Sequence, residues 1–409
     1  MSLLLVKGLF EQVPVVDINA SLEHWLVPIW VIAMGVLIGL AASAAVYGVI
    51  LAISRNWGKA IDDLVVQGLL QPFFYTCLVP AALAVLMFIW APYRQVFGQI
   101  QFSGSGALLA LGRDADLMLT IACTVLDLFL VAVVLRIALP KVSAVAVTTA
   151  KEGMGQPLFW VIVGVGVFLL VVFIWVPYNT FGEDIKMLKT QGLELLMVAA
   201  IFLAVATASV SVSQEIEGRT AMTVLSKPIA RWEFIVGKFL GVVAPVLLMF
   251  FVLGFVFLCT VSYKVVYDGA EGGQVVRSAE ACLIAVRQVV PGLTLRFIEA
   301  AIFAAISVTI ATRLQMLANL SICMTVYAVG HLVPLMVQKT EGSLETVKFV
   351  GQLISTVIPV LAWFDVQAGI VGDRDNWWEY VGHSALYGLF YCTFMLLLAL
   401  VLFEDRDLA

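Results

Sequence analysis

The stretch SQEIEGRTAMTVLSKPIARWEFIVGKFLG, Ser213 to Gly241, is a charged interlude between two long apolar runs, and its reading organises the rest of the chain. Ala221, Val224 and Leu225, flanked by Met222, share one face at helical spacing, while Arg219, Thr220, Thr223, Ser226 and Lys227 share the other. That pattern predicts a short helix lying on a membrane surface. Pro228 lacks an amide donor and steers Lys227 away from helical geometry, so the helix should stop there. Ile229 to Gly237 then lead into the next apolar run, with Arg231, Trp232 and Lys238 suited to a layer of headgroups and water. The same pattern also suits an ordinary polar loop between two spans.

The chain around this stretch is 62% hydrophobic and only 12% charged over 409 residues, and its mean hydropathy is +1.04. Such a composition belongs to a polytopic membrane protein. The net charge of −5 and the absence of a basic block argue against nucleic acid as a partner, leaving membrane lipid as the dominant surroundings. Cys77, Cys123, Cys259, Cys323 and Cys392 lie in apolar runs and Cys282 stands alone in a polar stretch, so no disulfide framework is expected. The opening MSLLLVKGLF has no small-residue cleavage site behind it, and no cleaved signal peptide is expected.

A membrane-spanning helix needs roughly 20 apolar residues, which selects about nine candidates. They fall near 28–53, 72–90, 117–139, 157–177, 193–213, 236–262, 295–312, 315–337 and 382–403. The shorter run 347–364 carries Pro359 between polar flanks and reads as re-entrant or interfacial. The expected fold is therefore all-α, with a polar outer loop over 263–294. In the first span Gly35, Gly39 and Ser43 recur every four residues, which lets a second helix approach closely. Lysine and arginine are denser on the side that holds the 213–237 loop, placing the N-terminus outside and the C-terminus in the cytoplasm.

Chemistry-bearing residues are sparse. No G-x-x-x-x-G-K-[ST] loop occurs, so the chain should not hydrolyse ATP by itself, and no catalytic residue is assigned. His24, His331 and His383 are far apart in sequence and form no zinc-ligand spacing, so no metal is expected. Asp127 and His331 are the intramembrane groups that could form a polar site on a substrate or proton path, with hydrogen bonding or packing inside the bundle as the plainer role. Arg296 and Glu299, three apart, can pair with each other.

Glu215, Glu217, Gly218, Thr220, Leu225, Ser226, Pro228, Arg231, Glu233, Gly237 and Lys238 together resemble the signature between the second and third helices of type-2 (ABC-2) ABC transporter permeases. Phe403-Glu404-Asp405-Arg406-Asp407-Leu408 resembles that family's closing F-x-R-R-D-L, and Pro359-Val360-Leu361-Ala362-Trp363-Phe364-Asp365 its P-x-L-x-x-F-[ND] segment. The resemblance covers about residues 157–408. Glu404-Asp405 departs from the usual basic start of the tail, and the spans before 150 lie outside the family's six-helix core.

The resemblance implies a six-helix permease core over 151–409, preceded by a three-helix extension over 1–150. It implies an exporter subunit of a bacterial plasma membrane, paired as a homodimer or heterodimer. A separate cytoplasmic ATPase would bind ATP-Mg, this chain holding no cofactor, and would couple through Glu215, Glu217, Gly218, Arg219, Thr220, Pro228, Arg231 and Lys238. The competing class is an ATP-independent protein, either a proton-coupled secondary transporter using Asp127 or an intramembrane enzyme. The first would be expected to show duplicated halves, the second clustered nucleophiles or bases, and neither pattern is seen.

Overall fold

The computed structural model describes residues 18–53, 106–176, 184–213, 230–271, 279–338, 358–364 and 377–404. Among them the helices are α1 (Ile18–Ile53), α2 (Gly106–Ala138), α3 (Pro140–Gly155), α4 (Pro157–Val172), α5 (Asp184–Ala208), α6 (Arg231–Glu271), α7 (Ala279–Ala311), α8 (Met316–Gln338) and α9 (Trp377–Glu404). A π-helical turn, Ser209–Ser213, continues α5, a 3-10 turn covers Leu361–Phe364, and the described residues hold no strand. Five of these helices, α1, α5, α6, α7 and α9, are long and apolar enough to cross a membrane, and the bent pair α2 and α3 makes a sixth if counted as one span. Helices α4 and α8 contribute shorter apolar segments. The expected span 72–90 lies outside the described residues, as does most of 347–364.

Helix α7 is the hub of the bundle, packed by α1, α5, α6, α8 and α9. It has the lowest hydropathy of the five long spans, 1.8, and is the most enclosed. The two facts have one cause. Its polar side chains Arg296, Glu299, Ser307 and Thr309 are buried against neighbouring helices, where they find partners instead of lipid. The periphery is the reverse case: α4 presents Trp160 and Phe168 outward, and α9 presents Phe390 and Phe394.

The N-terminal helices join this bundle. Ser262 Oγ of α6 donates to the Trp25 carbonyl at 2.8 Å, and the Trp25 and Tyr263 rings meet edge to face at 5.6 Å. The small-residue stripe of α1 works as expected at Gly39, where an added Cβ would stand 2.7 Å from Val125 Cβ and 2.8 Å from the Ala122 carbonyl oxygen of α2.

Two stretches differ from expectation. Helices α6 and α7 extend to Glu271 and from Ala279, so most of the expected 263–294 loop is helical. Counting apolar residues ended the spans at charged positions, but those charges are satisfied within the bundle. Lys264 Nζ donates to the Ile174 carbonyl at 3.2 Å and pairs with Asp268 at 3.0 Å, and Lys189 Nζ donates to Gln288 Oε1 at 2.9 Å. Cys282, expected in a loop, is buried in α7 with its thiol 3.8 Å from the Ser262 carbonyl. The second difference is α3, expected as part of a connection. Pro140 opens it with a fixed φ. Val142, Ala146, Val147, Ala150 and Met154 form its buried face, and it lies against the start of α6.

Candidate functional site

The charged interlude enters and leaves the bundle through tightly held ends. On the entry side, Ser209 in the π-turn accepts from Asn319 Nδ2 of α8 at 3.3 Å, and the same amide donates to Ser307 Oγ of α7 at 2.9 Å. On the exit side, Ala230 N donates to Glu233 Oε2 at 2.8 Å, so the glutamate reaches back over the helix start and satisfies an amide that has no intrahelical acceptor. The same carboxylate oxygen lies 3.7 Å from Lys141 Nζ of α3. One turn further in, Phe234 stacks on Phe403 of α9 with centroids 5.6 Å apart.

Below this rim α3 crosses α6 at van der Waals contact. A Cβ at Gly241 would stand 2.4 Å from Thr149 Cβ and 2.8 Å from the Ala146 carbonyl oxygen, so only glycine fits there.

Of the residues assigned to coupling, Glu215, Glu217, Gly218, Arg219, Thr220 and Pro228 lie outside the described residues. Arg231 is exposed at the start of α6. Lys238 is 2% exposed, with Nζ 5.5 Å from the Phe234 ring centroid, which makes it part of the packed rim and not an outer contact. The other two signatures also fall on packing positions. In the 359–365 segment Pro359, Leu361 and Phe364 are buried and Trp363 is exposed. Tyr380 OH of α9 donates to the Trp363 carbonyl at 2.6 Å, and Val360 N donates to Tyr387 OH at 3.0 Å. The spacing of that motif is thus the spacing of its inward side chains.

A second site lies deep in the bundle, where α5, α7 and α8 meet. Glu194 sits ten residues into α5, about 15 Å along a helix that rises ~1.5 Å per residue. Its carboxylate takes Arg296 Nη2 of α7, and accepts from Tyr327 OH of α8 at 2.5 Å. Arg296 Nη1 donates to Glu299 Oε2 at 2.8 Å. Glu299 is fully buried, and its other oxygen lies 4.0 Å from His331 Nε2. His331 Nδ1 is 3.1 Å from the Tyr327 carbonyl oxygen. These groups tie three helices together through charges that bilayer lipid could not solvate.

His331 therefore belongs to a cluster, whereas Asp127 does not join it. Asp127 is half-buried on α2, which packs on α1 and α3. Sequence reasoning missed Glu194, Tyr327 and the stripe they belong to. Asn319, Cys323, Tyr327 and His331 recur every four residues on α8, one face of a helix, and that period was the available signal. Along the stripe Cys323 Sγ donates to Asn319 Oδ1 at 3.4 Å.

Long apolar helices around a hub with internal ion pairs define an integral membrane protein. A family profile described as ABC-2 family transporter protein matches residues 177–408, more than half of the chain, and the chain belongs to that family. It is a membrane permease of an ABC transporter, a class whose members work with an ATPase subunit. A search of curated proteins found no matching relative.

Proposed function

We propose that this chain is the membrane subunit of an exporter in a bacterial plasma membrane, its C-terminus in the cytoplasm. Paired with an identical or related permease subunit, it encloses a translocation path. A separate cytoplasmic ATPase binds ATP-Mg and drives the cycle, with residues 214–238 as the element that receives its motion. The observation that carries this reading is the family match over 177–408, which contains that element between its two long flanking helices α5 and α6. The frame supports it. A force applied between Gln214 and Ile229 reaches α8 through Ser209 and Asn319, and reaches α3 and α9 through Glu233 and Phe234.

Acidic Glu215 and Glu217 followed by Gly218 suit a contact in which charge selects the partner and a bare backbone permits close approach. The test is to purify the wild-type chain and a Glu217→Lys, Gly218→Val variant with the cognate ATPase. The variant should insert and accumulate normally while the ATPase no longer co-purifies, or while ATP-driven transport stops with the complex intact. Wild-type binding and transport in the variant would refute coupling through this segment. Reporter fusions after Arg55, Lys151, Arg231 and Arg406 should read cytoplasm, and fusions near Gly104, Gly272 and Gly342 the outside.

A further inference from the structure

The contact between Glu299 and His331 is chemically incomplete. His331 Nδ1 lies 3.1 Å from the backbone carbonyl of Tyr327, and a carbonyl can only accept, so Nδ1 carries a hydrogen. In a neutral imidazole Nε2 is then a bare lone pair. It faces Glu299 Oε1 at 4.0 Å, and an ionised carboxylate oxygen is also only an acceptor. Both atoms are sealed from solvent and neither has a hydrogen-bond partner among the described residues. Two sealed acceptors face each other, and an unsatisfied buried carboxylate oxygen is costly. A donor is required, and the surroundings leave no surface on either atom for a water to touch. A proton is the one donor that occupies no volume.

The charge balance asks for the same thing. Glu194 and Glu299 are negative and Arg296 is positive, so the described groups of the cluster sum to one negative charge inside a membrane span. Of the other charged or titratable groups nearby, Lys189 of α5 keeps its charge but donates to the neutral Gln288 and, among the described ion pairs, to neither glutamate, and Tyr327 of α8 donates to Glu194. The Leu361–Phe364 turn that packs on α7 and α8 has no titratable side chain. One bound proton brings the groups in direct contact, Glu194, Arg296, Glu299 and His331, to zero, Lys189 standing outside that sum.

We propose that Glu299 Oε1 and His331 Nε2 form a proton-binding site within the bundle, with one proton held between them at neutral pH. A contraction of about 1 Å brings the pair to the length of a charge-assisted hydrogen bond. The two holders stand on different helices, α7 and α8, so a movement that parts these helices also opens the proton site. The inference stands apart from the coupling assignment and needs no ATPase to test.

The chain contains three histidines, so nitrogen-labelled histidine gives a readable magnetic resonance spectrum of the full-length protein in lipid nanodiscs. His331→Gln identifies the relevant signals by their loss. At neutral pH the wild type should show His331 with both ring nitrogens protonated, or else an infrared carboxylic-acid band that disappears in Glu299→Gln. Either result places the proton in the pair. Glu299→Gln keeps the shape and supplies an amide donor to Nε2, so any doubly protonated His331 signal should revert to one protonated nitrogen. Should that variant fail to fold, His331→Gln serves the infrared measurement, since its amide donates to Glu299 Oε1 and should abolish the acid band. A wild-type protein with a singly protonated His331 and an ionised Glu299 would overturn the proposal, and so would a doubly protonated His331 that persists in Glu299→Gln.

Discussion

Two regions of this permease use the same kinds of residue to opposite ends. At the rim of the 214–229 segment, Glu233 pairs with Lys141, a side chain nearly half exposed, and Arg231 faces outward. In the bundle, Glu299 and Arg296 pair at full burial. Water screens the first pair, and each partner loses little if the other is removed. Nothing replaces a lost partner in the second. The difference teaches that charge in this chain is loosely held where water reaches it and is a fastening device in the interior.

The sharpest way to break that comparison is Glu299→Leu. It leaves Arg296 with one carboxylate partner fewer in a sealed site, and breaking a buried pair costs about 3–5 kcal/mol. The variant should yield little monodisperse protein and melt far below wild type in a detergent stability assay. A wild-type melting curve would show that the cluster fastens nothing. Next in size is Gly241→Val, which forces a side chain into the α3 and α6 crossing. Overpacking of this kind costs about 1–3 kcal/mol. A fall in melting temperature without loss of insertion is expected, and unchanged stability would mean that α3 can lift away from α6.

Lys141→Ala should cost less than about 1 kcal/mol, because the pair with Glu233 is exposed on one side and Ala230 N still engages the glutamate. A larger drop would promote the rim pair to a structural element. Smallest of all on the fold is Glu217→Lys: with the coupling segment at the surface as proposed, it should shift stability by no more than about 0.5 kcal/mol while its effect on ATPase co-purification is large. A destabilised Glu217→Lys membrane fraction would erase the contrast between the two regions.

Much of the site was legible as pattern but not as role. Pro359, Leu361 and Phe364 were recognisable as a motif, and the structure gives their spacing a cause in the buried side of a turn packed beneath α9. Gly237 and Lys238 stood in the signature run, yet one lies against Val145 of α3 and the other is buried beside Phe234. Asp127 and His331 were singled out for the same reason, an ionisable group in an apolar run, and it is His331 that stands beside Glu299 in the interior cluster.

Composition alone determined that this chain lives in a membrane, because a chain 62% hydrophobic has no other way to keep its surface from water. Apolar run length placed α8 and the far ends of α1, α2, α7 and α9 to within a residue or two, but α1, α2, α5 and α7 begin well ahead of the expected spans, at Ile18, Gly106, Asp184 and Ala279. Where α6 ends and α7 begins was decided by tertiary structure. Lys264 and Gln288 look like loop residues until the Ile174 carbonyl, just past the end of α4, is brought to the first and Lys189 of α5 to the second. The charge cluster has the same origin. Glu194 and Arg296 are 102 residues apart, and no local pattern reports that the packing of α5 on α7 closes that distance to a hydrogen bond.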